Sequence, residues 1–427
     1  MTIERQIPKE LKTTPEVRIH DWDHEGSELL RNSSFKILDT WRRDGIQMPE
    51  NKYPTDEVSR AVIDLDAQIG LEAVDICMPV TGIGTPIFRH NVELARYTFE
   101  NHRNMEIYVL ARAKEEDVVA TLRYSEQSKI PISVILFRGS SDPRLLAENW
   151  DEEEVVQSMA TFTKTLRQNG LKVIAATEDT TRTREEFLAD IVLATKAEGA
   201  NGFCVSDTVG WATPSGVSEQ VSWLKNLVSQ PDYEIHFHGH NDTENAVANT
   251  IAAIKAGASV GHVTWLGMGE RVGNTSLEGL LSNLASRDIY RYDMLPLYEG
   301  GQLISKACNF PIPKNYPLVG ANAFKHESGI HAAGVHKARK TGNKDVEGKV
   351  YSAVDPRKVG RFHETTIGPL SGSHNVQWEL EEREVPYSLE LEDALLKAAK
   401  FKGVALNSEE IGNVIRETLE NNGNGIK

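Results

Sequence analysis

Between Phe35 and Ser286 the chain switches hydrophobic period repeatedly, and this alternation limits the possible folds more than any other feature. Eight short runs rich in apolar and β-branched residues read as buried strands: FKILDTW, EAVDICMP, MEIYVLA, PISVILF, KVIAATE, GFCVSDT, EIHFHGH and SVGHVTWLG. Between them lie longer segments with apolar residues three and four apart, such as DEVSRAVIDLDAQIG, REEFLADIVLATKAEG and TENAVANTIAAIKAGA. Several end in Gly, which accepts the left-handed conformation that stops a helix. Eight strand–helix units in about 250 residues are the count for a closed parallel (β/α)8 barrel. The expectation is an α/β protein with a TIM barrel over residues 35–300. A polar arm (1–34) precedes it, and small, mainly helical accessory subdomains (301–427) follow. A doubly wound open sheet is the alternative, but DTWRRDGIQ lacks the Gly-rich G-x-G-x-x-G first turn.

A barrel of this kind carries its chemistry at the carboxyl ends of its strands. Read in order, those ends present Arg43 and Asp44, then Glu178 and Asp179, then Asp207 and Thr208, then His238 and His240. The eighth leads into GMGERVGN, with Glu270, Arg271 and Asn274. Alternate residues of a strand share a face, so His236, His238 and His240 of YEIHFHGHND point the same way. The last two lie at the mouth. A carboxylate and two imidazoles, with an amide oxygen beside them, suit a divalent cation with positions left open for substrate. His238 and His240 are the expected imidazole ligands, and the deeper His236 is expected to be packed or hydrogen-bonded in the barrel.

Charge and cysteine usage exclude other classes. A formal net charge of −15 argues against a nucleic-acid binder or a membrane-surface protein. Cys77, Cys204 and Cys308 are far apart and read as reduced thiols of a cytoplasmic protein. The polar start reads as neither a secretory signal nor a transit peptide. HDWDH, His20 to His24, mixes ligand types but precedes the barrel and reads as surface.

These motifs resemble a metal-dependent barrel family of acyl-CoA condensing enzymes and related lyases. It includes 2-isopropylmalate, homocitrate and citramalate synthases and the hydroxymethylglutaryl-CoA lyases. DTWRRDGIQ is similar to that family's D-T-T-L-R-D-G-x-Q, HGHND to its H-x-H-N-D, and GMGERVGN to its G-x-G-E-R-x-G-N. HESGIHAAGVHKA and VYSAVDPRKVGR resemble accessory segments of the synthases, where a His and a Tyr reach the neighbouring subunit's site; the matching positions are His331 and Tyr351. The lyases and aldolases of the family, the alternative reading, lack that extension, and the lyases use a Cys in the loop where GMGERVGNTS has none.

The resemblance implies Claisen condensation of an acyl-CoA, with acetyl-CoA as cosubstrate, onto a small 2-oxo acid, followed by release of CoA. The product would be a 2-hydroxy dicarboxylic or tricarboxylic acid. It implies a divalent cation (Mg²⁺, Mn²⁺ or Zn²⁺) held by Asp44, His238 and His240 with Asn274 as a fourth or outlying group, and a homodimer with shared active sites. Arg43 would stabilise the developing alkoxide. Glu178 or His331 would enolise the thioester with Tyr351 as a nearby proton donor. Thr208 and Gln47 would bind the acceptor, and Glu270 would pair with Arg271 under the metal. Trp41–Arg42, Asp75 and Ala332–Ala333 depart from the family pattern at positions expected near the acceptor, and Arg42 is expected in a surface ion pair. The roughly fifty residues after PLSGSHNV look too few for the leucine-binding regulatory domain of full-length isopropylmalate synthases.

Overall fold

The computed structural model describes residues 17–421, so residues 1–16 of the expected arm lie outside it. Eight parallel strands close into a barrel in simple sequence order. They are β1 (Lys36–Asp39), β2 (Ala73–Cys77), β3 (Glu106–Arg112), β4 (Ser133–Gly139), β5 (Lys172–Glu178), β6 (Gly202–Asp207), β7 (Glu234–Gly239) and β8 (Val260–Val263). Each overlaps one of the apolar runs. β8 is shorter than SVGHVTWLG suggests, because Trp265–Gly267 turns into a 3-10 helix with Leu266 at φ +56°.

The helices between strands follow the 3.6-residue pattern and its stop signals. Asp56–Ile69 is capped by the Thr55 hydroxyl and ended by Gly70 at φ +96°. Ala246–Ala256 ends at Gly257, φ +112°. One large apolar core fills the space between strands and helices, and a smaller cluster including Leu38, Tyr108, Ile135 and Ile174 fills the barrel interior. The stretch expected as a polar arm contains a helix, His24–Asn32, with Leu30 buried. None of the described helices is long and apolar enough to cross a membrane.

Where β1 and β8 end, three buried carboxyl groups tie down the loops that follow. Asp39 accepts from the Trp41 N–H at 3.0 Å, Asp66 accepts from Trp265 Nε1 at 2.7 Å, and Glu278 accepts from the Leu266 N–H at 3.0 and 3.1 Å. Burial, helped by Asp66 beside it, pushes the Asp39 carboxyl well up. Burial likewise carries Asp66 up to about 8, although hydrogen bonds from Trp265 and Asp39 oppose it. Two touching carboxyls in an apolar setting cannot both ionise, so the pair holds a proton.

The described residues form two compact units, residues 23–312 and residues 17–22 with 313–421. The second unit has its own core, formed by Ile367, Val376, Leu380, Leu391, Leu395 and neighbouring residues. It is mainly helical: Gly329–Lys340, Ser373–Glu382, Leu389–Lys402 and Ser408–Asn421 are its long helices, with a two-stranded pair, Lys325–His326 beside Glu364–Thr365. Its Gly329–Lys340 helix carries His331, whose ring stacks on Tyr351 with centroids 4.2 Å apart and planes at 28°.

Candidate metal and substrate site

Asp44, His238 and His240 converge at the carboxyl end of the barrel. Asp44 Oδ2 lies 3.2 Å from His238 Nε2 and 4.0 Å from His240 Nε2, and the two Nε2 atoms are 3.3 Å apart. Local structure sets each position. The Asp44 N–H donates to the Thr40 carbonyl at 2.7 Å, folding the chain after β1 into a turn that leads into the 3-10 helix Gly45–Gln47. His238 sits on β7 and His240 just past it, two residues apart on one face.

Asn274 reaches the cluster because the loop after β8 folds back on β7. An isolated bridge joins Asn274 to His240, the Asn241 N–H donates to the Gly273 carbonyl at 2.9 Å, and the Thr275 N–H donates to the Gly239 carbonyl at 3.0 Å. Gly273 makes this possible: it sits at φ +93°, and a β-carbon there would collide with the Gly267 carbonyl. The Asn274 Nδ2 donates to Asp44 Oδ2, while its Oδ1 is buried without a partner.

This donor set fits a divalent cation. Ligands bonded at about 2.1 Å stand about 3.0 Å apart at right angles and about 4.2 Å apart when opposed. The observed 3.2, 3.3 and 4.0 Å edges fall within that range. Burial works against ionising Asp44, but Arg43, His238 and His240 outweigh it and hold its carboxyl well below the usual range. Burial, with His238 alongside, lowers His240 to about 4, which leaves its ring neutral and able to ligate. The Nδ1 atoms of both rings are buried without a partner, so packing orients them rather than the usual outer hydrogen bond.

Arg43 is held on two sides. Its Nε donates to Asp75 Oδ2 at 2.7 Å and its Nη1 lies 3.1 Å from Asp44 Oδ1. Burial opposes its charge, but Asp75 and Asp44 raise its pKa. Asp75, fully buried, is lifted by desolvation to about 6 despite the guanidinium. The departure from the family pattern at this position therefore anchors Arg43. Arg42 is not in a surface ion pair. It is 5% exposed and donates to Ser59 Oγ, Tyr53 Oη and Asn91 Oδ1 at 3.1, 2.7 and 3.2 Å. Trp41 is fully buried beneath Gly45, and neither it nor Arg42 lines the cavity.

The cavity above the cluster holds about 360 Å³. Arg43, Gln47, Glu178, Thr208, Glu270 and Arg271 all line it. Burial raises the Glu178 carboxyl, offset in part by Arg144, whose Nε lies 2.8 Å away but off the line of a hydrogen bond. Thr208 Oγ1 accepts from the Asp179 N–H at 2.8 Å, which leaves its own proton to donate. Asp179 and Asp207, also at strand ends, turn away to hold loops: Asp179 binds Arg182, and Asp207 binds Thr181 and the Trp211 and Ala212 N–H groups. Arg271 does not pair with Glu270; it grips both Asp242 oxygens at 2.7 and 2.9 Å and the Thr208 carbonyl at 2.6 Å.

His236 is fully buried, with Nδ1 3.0 Å from His262 Nε2 and Nε2 3.3 Å from Glu234 Oε2. His262 itself lines the cavity. Sequence reasoning passed over it, and over Asp75 and Arg144 as partners of Arg43 and Glu178; an inward His on β8 was the one available signal. The three cysteines are free and buried.

Residues 34–302 match the family model described as HMGL-like, and residues 318–409 match the model described as homocitrate synthase post-HMGL domain-like. The chain belongs to the HMGL-like family. The 2-isopropylmalate synthase of Ruminiclostridium cellulolyticum is 31% identical over 386 residues, spanning 87% of this chain and 71% of that protein. Homocitrate synthase AksA of Methanopyrus kandleri is 30% identical over 395 residues, spanning 91% of this chain and 93% of that one. Among solved structures, the HMG-CoA lyase of Bacillus subtilis superposes with a TM-score of 0.55 at 18% identity, over 66% of this chain and 96% of the lyase. That likeness is one of fold.

Proposed function

We propose that this enzyme condenses acetyl-CoA with a 2-oxo acid and releases CoA. The observation that carries the reading is the convergence of Asp44, His238 and His240 beside a charge-paired Arg43 on one cavity. Synthase relatives that extend over most of the chain support it. Asp44, His238 and His240 would hold a divalent cation, with Asn274 as a fourth group if its amide turns Oδ1 inward. When bound, the cation supplies Lewis-acid polarisation of the acceptor's keto oxygen.

The protein's own groups divide the remaining work. Thr208 donates a hydrogen bond to the acceptor carboxylate, and Gln47 orients it. Arg43, fixed at Nε and Nη1, keeps its other N–H donors for the oxygen on which negative charge develops. Glu178, with a raised carboxyl pKa, is the stronger base for it and removes a proton from the thioester methyl. The new carbon–carbon bond joins that methyl carbon to the keto carbon, and water then displaces CoA. His331 and Tyr351 act in the site of a second copy of the chain, as an alternative base and a proton donor, in a homodimer.

The cavity also bears on the acceptor's tail. Met78, Leu110, Ile135, Phe137 and Ala176 line it, and its two arginines are already paired with carboxylates. An uncharged tail suits such walls better than a second carboxylate, which would need a cation of its own. Thiol release measured with acetyl-CoA across pyruvate, 2-oxoisovalerate, 2-oxoglutarate and oxaloacetate, before and after chelation, tests the reading. Release with none of the acids in the presence of Mg²⁺, Mn²⁺ or Zn²⁺ would sink it, and cleavage of a hydroxyacyl-CoA instead would favour the lyase alternative.

A further inference from the structure

We propose that His262 is a specificity-determining residue whose Nδ1 accepts a hydrogen bond from the 2-oxo acid's tail, so that the site favours an uncharged tail ending in a donor such as a hydroxyl. The inference rests on the condensation reading above and names its acceptor class more closely.

A chain of three side chains sets which nitrogen of His262 is bare. Glu234 is an ionised carboxylate, because Lys172 Nζ lies 2.7 Å from its Oε2 and Lys36 Nζ 3.9 Å from its Oε1. A carboxylate only accepts, so the proton between it and His236 belongs to His236 Nε2, across 3.3 Å. A neutral ring with Nε2 protonated has a bare Nδ1. The 3.0 Å contact from that Nδ1 to His262 Nε2 then needs the proton on His262 Nε2. His262 is left with Nδ1 as a pure acceptor. That atom is buried without a partner on a residue 2% exposed, and the residue lines the cavity.

A buried lone pair with nothing donating to it is costly, and a ligand that brings a donor recovers the loss. The surroundings offer little competition: Ile135, Ala176 and Cys204 of the barrel's interior cluster line the same cavity. Distance fits a short acid. The His262 and His238 ring centroids are 5.4 Å apart, so a carboxylate and keto group held beside His238 leave the tail within reach of His262. A site built to bind a hydroxyl rejects an analogue lacking it far more strongly than an apolar pocket rejects a missing methylene.

The test uses acceptor pairs in which a hydroxyl replaces a methyl group: 3-hydroxypyruvate against 2-oxobutanoate, and 4-hydroxy-2-oxobutanoate against 2-oxopentanoate. CoA release with acetyl-CoA and Mg²⁺ gives kcat/KM for each acid. The wild type favours the hydroxy acids by at least about tenfold, and His262→Leu brings the ratio to near one or reverses it. A wild-type ratio near one, or a ratio that His262→Leu leaves unchanged, overturns the inference alone. Release with no 2-oxo acid at all overturns the condensation reading with it. Nitrogen-15 spectra of histidine-labelled wild type give a second readout that needs no variant. They should show His262 protonated on Nε2, with an Nδ1 signal that moves on adding 3-hydroxypyruvate and not 2-oxobutanoate. A protonated Nδ1, or equal responses to both acids, counts against the proposal.

Discussion

Replacing Asp66 by Asn should remove a large part of the pH dependence of folding. Asp66 and Asp39 are 0% and 2% exposed, and the Asp66 carboxyl is carried from 3.8 to about 8 by burial. A carboxyl whose pKa is higher in the folded than in the unfolded chain stabilises the fold while it is protonated. That stability is complete below the unfolded pKa near 4, is lost as pH rises, and is gone above about 8. A tenfold change in proton affinity is worth about 1.4 kcal/mol, so the full loss is on the order of 5 kcal/mol, with about 2 kcal/mol falling between pH 6 and 8. Asn cannot ionise, yet its Oδ1 can accept from Trp265 Nε1 and its Nδ2 can donate to Asp39. Urea unfolding of both proteins at pH 6, 7, 8 and 9, followed by tryptophan fluorescence, gives the difference made by the Asp39–Asp66 pair, because titrations outside the pair are common to both and cancel. The wild type should lose stability relative to Asp66→Asn across that range and be the less stable of the two at pH 9. Parallel profiles would refute the shared-proton pair.

Four further outcomes concern the site and its surroundings. Arg43→Ala should lower turnover by about 10²–10³, as removal of an oxyanion donor does, and lower metal content far less. Arg42→Ala should instead lower stability by about 1–3 kcal/mol, since Ser59, Tyr53 and Asn91 lose a buried partner; a reversed pattern in paired kinetics and melts would show the roles misassigned. Chelation or His238→Ala should abolish both bound metal, measured by atomic emission, and CoA release; full activity without metal would defeat the ligand assignment. In a mixed dimer, His331→Ala and Asp44→Ala chains should recover CoA release that neither shows alone; no recovery in a verified mixed dimer would place His331 in its own chain's site.

The barrel and the metal-binding candidates were legible because their signals are local. A change from 3.6-residue to unbroken apolar patterning marks each strand within a few residues, and H-x-H on one strand puts two imidazoles on one face whatever surrounds it. The identities of the partners are another matter. Asp75 meets Arg43 because β1 and β2 are neighbours, Arg144 meets Glu178 across the β4 and β5 ends, and Asp242 takes Arg271 away from the adjacent Glu270. His262 faces the cavity and receives His236 through the closure of β7 onto β8. Ladder register and barrel closure decide which residues from distant parts of the chain come within hydrogen-bond distance. Burial then decides the charge each carries, turning Asp39 and Asp66 into a proton-sharing pair while Asp44, beside Arg43, stays ionised. Neither register nor burial is written in the spacing of residue types, because both depend on the sum of contacts from every strand and helix around the point in question.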